Sequence, residues 1–159
     1  MIKVNIIAVG KVKEKYFIDG IEEYSKRLKG LCDFKIITVE EENYKKVSPS
    51  IIEEIKEKEG KKILSCPEFK GAIYAMAIEG KKFSSEEFAK EIKKVGDLGG
   101  GVLTFVIGGS YGISDEVKGR ADKLISFSDM TFPHTLFRLM LVEQIYRAFS
   151  IIGGTPYHK

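Results

Sequence analysis

Residues 102–112 read VLTFVIGGSYG, an apolar run that passes directly into a glycine-rich turn. In open α/β sheets, ligands bind outside the carboxyl ends of the strands, and glycines there let the backbone approach a ligand closely. The turn at 108–112 does not match GxGxxG, and the chain has no GK[ST], so the dinucleotide fingerprint and the P-loop are both excluded. We predict a ligand-binding loop at 108–112, with a tight structural turn as the alternative.

Strand-like and helix-like segments alternate along the rest of the chain. Apolar and β-branched runs predict strands at 3–9, 34–39, 72–78, 102–107 and 123–127. Helical spacing and start signals predict helices at 16–28, from 48–50 to about 64, at 86–95, at 115–121 and from 133 to about 152. This order predicts an α/β fold in which helices flank a mostly parallel sheet, with residues 1–159 forming one domain.

Local signals add detail to this prediction. Two capping boxes are expected, Ser50 with Glu53 and Ser84 with Glu87. We expect residues 79–80 to turn the chain after the third strand and residues 99–101, three glycines, to form a flexible approach to the fourth.

The composition is that of a globular protein, with 43% hydrophobic and 31% charged residues among 159. No apolar run approaches the ~20 residues that a membrane span needs, and residues 1–10 lack the features of a signal peptide, so a cytoplasmic protein is expected. Cys32 and Cys66 form no CxxC motif, which indicates reduced thiols and no structural zinc.

The net charge of +3 arises from the last quarter of the chain. This part of the chain contains three acidic residues, Asp122, Asp129 and Glu143. It contains six basic residues: Lys118, Arg120, Lys123, Arg138, Arg147 and Lys159. This excess predicts a basic surface for an anionic partner, and chance unevenness is the alternative.

Residues 127–134, FSDMTFPH, form a second candidate site between a strand and a long helix. Ser128, Thr131 and backbone amides can hydrogen-bond a planar heterocycle, and Met130 with the phenylalanines can enclose it. The alternative is an ordinary helix start with Pro133 in the first turn.

The helix predicted from 133 to about 152 is apolar on nearly every face, so the domain, a partner subunit or both must bury it. His134 and Arg138 share one side, which we interpret as facing an active site. Glu143 and Arg147 lie four residues apart on the opposite side, which indicates a structural ion pair.

The tail Tyr157-His158-Lys159 is either frayed or suited to stack against a nucleotide.

Taken together, these segments resemble the ribosomal RNA large subunit pseudouridine N3-methyltransferase family of the SPOUT superfamily. The resemblance is carried by residues 106–112, 126–134, Arg138, 143–148 and 157–159, and by 4–10 and 57–60 near the start. The resemblance covers the whole chain. The combination of these motifs is specific for the family, although no single motif is.

The resemblance implies a C-terminal trefoil knot, a homodimer and S-adenosylmethionine bound in the knot loops. The implied cofactor site comprises Met76, Gly108, Gly109, Gly112, Phe127, Ser128, Asp129, Met130, Thr131 and Phe132. The family often has leucine at Met76, and methionine preserves an apolar contact. The implied substrate is a pseudouridine in a stem-loop of 23S rRNA within assembled ribosomes.

The resemblance also frames a mechanistic hypothesis that needs no metal. A base poised near neutral pH assists removal of the N3 proton, and His134 or His158 is the candidate. Arg138 and Tyr157 would position the nucleotide, and Arg138 would stabilise negative charge on the base. A tail from one subunit could complete the site of the other. The alternatives are a non-catalytic RNA-binding module and an enzyme whose glycine loop binds a nucleotide phosphate.

Overall fold

The computed structural model describes residues 1–98 and 101–159. Two of the three glycines predicted to approach the fourth strand flexibly, at 99 and 100, lie outside the described residues. No helix in the described part of the chain is long and apolar enough to cross a membrane.

Five parallel strands form one sheet in the order β2-β1-β4-β3-β5. The strands are β1 (Lys3–Val9), β2 (Asp33–Val39), β3 (Ala72–Lys82), β4 (Val102–Ile107) and β5 (Lys123–Ser126). The helices are α1 (Lys15–Leu28), α2 (Pro49–Leu64), α3 (Ser85–Asp97), α4 (Asp115–Arg120) and α5 (His134–Gly153). The predicted α/β class and parallel sheet are confirmed.

Helices cover both faces of the sheet, which explains why its central strands are mostly apolar. Alternate residues of β1 enter different cores: Ile6 packs with α1, α3 and α5, and Ile7 packs with α2 and α4. Because strands buried on both sides read as nearly continuous apolar runs, β1 and β4 are mostly apolar. Their buried polar residues, Asn5 and Thr104, are hydrogen-bonded to each other at 3.3 Å.

The start of α2 differs from the expected capping box. Ser48 is the N-cap, its side chain accepts the Ile51 N–H at 3.3 Å, and Pro49 occupies the first helical position. The prediction for Ser50 with Glu53 is therefore wrong, because proline fixes the helix start two residues earlier. The Ser84–Glu87 capping box is confirmed.

Strand β3 continues through the turn that we predicted at Glu79-Gly80 and ends at Lys82. Its pairing with β5 shifts register between Met76 and Lys81, so an irregularity replaces the turn. A Cβ at Gly80 would lie 2.5 Å from the carbonyl carbon of Leu124, so only glycine permits this approach of the two backbones.

Because the sheet is parallel, the segments that follow the strands meet at one edge. Gly10 follows β1 with φ +85°, and Gly108 follows β4 directly. This carboxyl edge is where open α/β sheets bind ligands.

Candidate functional site

A cavity of about 730 Å³ lies at the carboxyl edge, within the size range of small-molecule sites. Its walls come from the end of β3, the loop 108–112 and the segment 125–134. Nine of the ten residues expected at the cofactor site line it: Met76, Gly108, Gly109, Gly112, Phe127, Ser128, Met130, Thr131 and Phe132. His134 lines the same cavity. The structure thus brings together two loops that are separate in the sequence.

The glycine loop forms a closed turn that is also a cavity wall. The Gly112 N–H donates to the Gly109 carbonyl at 3.1 Å, and Gly112 has φ +90°. A Cβ at Gly108 would lie 2.7 Å from the Gly112 carbonyl carbon and 2.9 Å from a side-chain carbon of Ile113. The tight structural turn is therefore present, and it leaves the loop's backbone at the edge of the cavity.

The second loop is held by its own hydrogen bonds. The Ser126 hydroxyl donates to the Ser128 carbonyl at 3.0 Å, and the Met130 N–H donates to the Ser128 hydroxyl at 3.0 Å. Met130 is 74% exposed, so a ligand in the cavity has this side chain available as a cover.

Asp129 departs from the expected cofactor site. Its carboxylate pairs with Lys82 at 2.5 Å, its side chain is 85% exposed, and it does not line the cavity. The prediction that Asp129 contacts the cofactor is not supported, because the turn built on Ser128 directs the neighbouring side chain outward.

His134 stands at the first position of α5, half-buried, with its imidazole beside the end of β1. A Cβ at Gly10 would lie 3.7 Å from His134 Nε2 and 3.4 Å from Glu41 Oε2, so both side chains lie next to this glycine. Burial lowers the pKa of His134, and the charge of Arg138 adds to this, whereas Glu41 and Glu14 oppose it. His134 is therefore a neutral imidazole at neutral pH, as a general base requires.

Arg138 lies on the same side of α5 as His134, but its side chain binds the protein's own backbone. It is only 4% exposed, and its Nη2 donates to the carbonyls of Gly10 at 2.8 Å and Val9 at 3.3 Å. Burial lowers the pKa of Arg138. Direct contact of Arg138 with a nucleotide is not supported: the guanidinium satisfies carbonyls at the end of β1 and positions Gly10 against His134.

The tail lies apart from His134 within the chain. The Tyr157 hydroxyl donates to Glu143 Oε1 at 3.0 Å and accepts from Tyr24 at 3.0 Å, while burial and these partners raise the pKa of Tyr157. Glu143 is nine residues beyond His134 on α5, which corresponds to roughly 14 Å along the axis. Neither Tyr157 nor His158 lines the cavity.

His158 uses both ring nitrogens in this position. Arg147 Nη1 lies 3.1 Å from Nδ1, and Glu86 Oε1 lies 2.7 Å from Nε2. Since arginine only donates, Nδ1 accepts and Nε2 carries the proton donated to Glu86. The structural pair expected between Glu143 and Arg147 is confirmed at 2.5 Å. The four candidate catalytic residues therefore do not assemble within one chain.

The basic surface expected from the last quarter of the chain is largely occupied. Of its six cations Arg138 is buried, and three others pair with carboxylates. The pairs are Lys118–Glu79 (2.6 Å), Lys123–Glu91 (2.7 Å) and Arg147–Glu143 (2.5 Å). Counting charges along the sequence did not reveal these ion pairs, because two of the carboxylates lie more than thirty positions from their lysines.

Sequence reasoning missed several cavity residues. The order of the strands and the long-range Lys118–Glu79 pair bring four further residues to the cavity, and the periodicity of the sequence reveals neither cause. These residues are Ile78, Glu79, Lys118 and Ile125. Phe137 also lines the cavity, and its position one turn after His134 was an available signal. No group of three or more His, Cys, Asp or Glu side chains within residues 1–98 and 101–159 is placed to hold a metal ion.

A family model described as "Predicted SPOUT methyltransferase" matches residues 2–158. The chain belongs to the SPOUT methyltransferase family. The family resemblance drawn from the sequence is thereby confirmed, and the glycine loop and the 125–134 segment become features of a SPOUT methyltransferase.

Similar proteins agree with this assignment. A "Ribosomal RNA large subunit methyltransferase H" of Lactobacillus delbrueckii subsp. bulgaricus is 52% identical over 157 residues, covering 98% of this chain and 99% of that protein. The protein of the same name from Ligilactobacillus salivarius is 54% identical over the same shares. A probable methylase family protein from Haemophilus influenzae superposes with a TM-score of 0.52 at 11% identity, covering 95% of this chain and 66% of that one. This last likeness supports the SPOUT fold alone.

Proposed function

We propose that residues 1–159 of this SPOUT methyltransferase form a single domain that transfers a methyl group from S-adenosylmethionine to N3 of a pseudouridine in 23S rRNA of the large ribosomal subunit. The observation that carries the proposal is the cavity in which the glycine loop, the 125–134 segment and His134 meet. The relatives named as ribosomal RNA large subunit methyltransferases, more than half identical over nearly the whole chain, support the substrate class.

The cavity residues fit this cofactor in chemistry and shape. Because Gly108 lacks a Cβ, the loop closes tightly on Gly112 at the edge of the cavity, and Met76, Phe127 and Phe132 offer apolar and aromatic surface to a planar ring. Ser128 and Thr131 add hydroxyl groups. When bound, S-adenosylmethionine supplies a methyl group on an already activated sulfonium.

His134 would accept the N3 proton of the pseudouridine or a hydrogen bond from it. Its burial keeps the imidazole neutral, and the cavity gives it access to a bound base. Alignment of the two reactants in this cavity would contribute most of the remaining rate acceleration, ~7–11 kcal/mol in favourable cases.

A homodimer would bring the tail of one subunit to the cavity of the other. Within one chain, Tyr157 lies well away from His134, so a role for the tail in the reaction needs a second copy. Helix α5 offers partly exposed apolar side chains for such a contact, including Leu136, Leu139 and Met140. Action on ribosomes places the protein in the cytoplasm, and the proposed chemistry uses no metal.

Calorimetric titration with S-adenosylmethionine, followed by tritiated methyl transfer to ribosomes from cells lacking the gene, tests the proposal. We expect binding in the micromolar range and label in 23S rRNA. RNA binding without cofactor binding would instead support the non-catalytic module, and protection by ATP or NAD would support the phosphate-binding enzyme.

Replacement of Glu41 by glutamine is expected to shift the acidic limb of the single-turnover pH–rate profile to lower pH. The Glu41 carboxylate raises the pKa of His134, so its removal lowers that pKa further and leaves the base deprotonated at lower pH. Glu40→Gln is the matched control, because Glu40 is an exposed neighbour with no such effect on His134. An unchanged profile in Glu41→Gln would show that His134 is not the base observed.

A further inference from the structure

Two loops beside His134 carry lysines that the fold leaves free. Lys11 and Lys13 lie between β1 and α1, and Lys45 and Lys46 lie between β2 and α2. All four are exposed, and within the described residues none forms an ion pair. Both loops follow parallel strands, so these lysines share the carboxyl edge with the cavity.

Contacts with the site fix the first loop. Lys11 follows Gly10, whose carbonyl accepts from Arg138 at 2.8 Å and whose Cα faces His134. Lys13 precedes Glu14, whose carboxylate is close enough to raise the pKa of His134. Lys11 and Lys13 are both exposed, and each is adjacent in the chain to a residue that lies near His134.

The second loop is anchored to α2. The Glu42 N–H donates to Glu59 at 3.0 Å, and the Glu42 carboxylate pairs with Lys62 at 3.0 Å. Lys58 donates to the Tyr44 hydroxyl at 2.7 Å. These bonds hold the segment immediately before Lys45 and Lys46, so the chain enters this pair of lysines from a fixed point.

The acidic residues of these loops are mostly turned away from solvent. Glu41 points to Gly10, Glu42 pairs with Lys62, and Glu14 is half-buried, which leaves Glu40 as the exposed carboxylate of these segments. The outer surface of the two loops is therefore basic, although their sequences contain equal numbers of acidic and basic residues.

We propose that Lys11, Lys13, Lys45 and Lys46 form a phosphate-binding rim that holds the backbone of the rRNA while the target base occupies the cavity. The rim deepens the function proposed above and rests on it. Ammonium groups neutralise phosphates as point charges without reading sequence, so the rim supplies affinity and orientation. It replaces the C-terminal basic surface that the sequence suggested, where three of the six cations are paired with carboxylates and a fourth, Arg138, is buried.

The test compares two quadruple Lys→Gln variants of the full chain. The rim variant changes Lys11, Lys13, Lys45 and Lys46. The matched control changes four exposed lysines at the opposite edge of the sheet, where strands begin: Lys26, Lys29, Lys61 and Lys70. Both variants lose the same charge, so any difference between them arises from position.

Methyl transfer to ribosomes from cells lacking the gene is followed at constant Mg²⁺, with KCl varied from about 50 to about 200 mM. We expect the rim variant to lose about ten- to a hundredfold in kcat/KM, mainly through KM, and to show a salt dependence shallower by about three to four in the log–log slope. Calorimetric affinity for S-adenosylmethionine should stay within about threefold of the wild type, since no rim lysine lines the cavity.

Equal losses in the rim and control variants would overturn the proposal, as would an unchanged salt slope in the rim variant. If the quadruple variant does not fold, Lys11→Gln/Lys13→Gln and Lys45→Gln/Lys46→Gln are measured separately, each with half the expected slope change. Failure of the wild type to bind cofactor or methylate ribosomes would instead refute the proposed function.

Discussion

Replacement of His134 by alanine is expected to slow methyl transfer by about 10²–10⁴-fold, the contribution of a positioned general base. Burial lowers the pKa of His134, so the wild-type imidazole is available as a base at neutral pH, and alanine has no group to replace it. The fold should persist, because within the described residues no hydrogen bond depends on the His134 side chain. Single-turnover rates at saturating cofactor and ribosome measure the effect.

His158→Ala is the matched comparison, since it removes the other imidazole. The wild-type rate should fall at low pH as His134 becomes protonated, and this acidic limb should disappear in His134→Ala but remain in His158→Ala. The opposite pattern would assign the base to the tail of the partner subunit. Equal methyl transfer by His134→Ala and the wild type would remove His134 from the mechanism.

Replacement of Gly108 by alanine is expected to weaken S-adenosylmethionine binding by at least about tenfold and to lower the melting temperature. The added Cβ would lie 2.7 Å from the Gly112 carbonyl carbon and 2.8 Å from its oxygen, so the loop must open to admit it. Overpacking of this kind costs about 1–3 kcal/mol, which for a chain of this length lowers the melting temperature by roughly 2–4 °C per kcal/mol. Calorimetry and thermal unfolding measure the two effects.

Gly119→Ala provides the control for this substitution. Gly119 lies in α4, and a Cβ there has no neighbour within 4 Å, so alanine should leave cofactor affinity unchanged and raise stability by up to about 1 kcal/mol. If Gly108→Ala binds cofactor as tightly as Gly119→Ala, the glycine loop is a structural turn and not a cofactor wall.

The sequence was most informative where burial determines residue type. Mostly apolar runs identified β1 and β4, and a glycine loop directly after a strand identified one wall of the cavity. Local chemistry also sufficed for the Ser84–Glu87 cap. Each of these features is determined by residues that are close together in the chain, so the periodicity and spacing of the sequence are enough to predict it.

Features that depend on distant contacts could not be predicted in this way. Arg138 looked like an active-site cation because it shares a helix side with His134, yet the carbonyls that bind it belong to the first strand. Glu79 and Gly80 looked like a turn, and only the pairing with β5 explains why β3 continues. The ion pairs of the C-terminal cations also depend on distant contacts, so the sequence did not reveal them. For the same reason, the sequence did not draw attention to the lysines that follow β1 and β2.

The hydrogen bonds from Arg138 to Val9 and Gly10 span 129 and 128 positions of the chain. Strand β1 also pairs with β4, so residues near the start of the sheet depend on segments made much later. Contacts of such high sequence separation slow folding, and synthesis adds only about 5–20 residues per second. During translation β1 can pair with β2, but its contacts with β4 and Arg138 form only after those later segments are made. The pocket reaches its working shape only after residue 138 has emerged from the ribosome that made it.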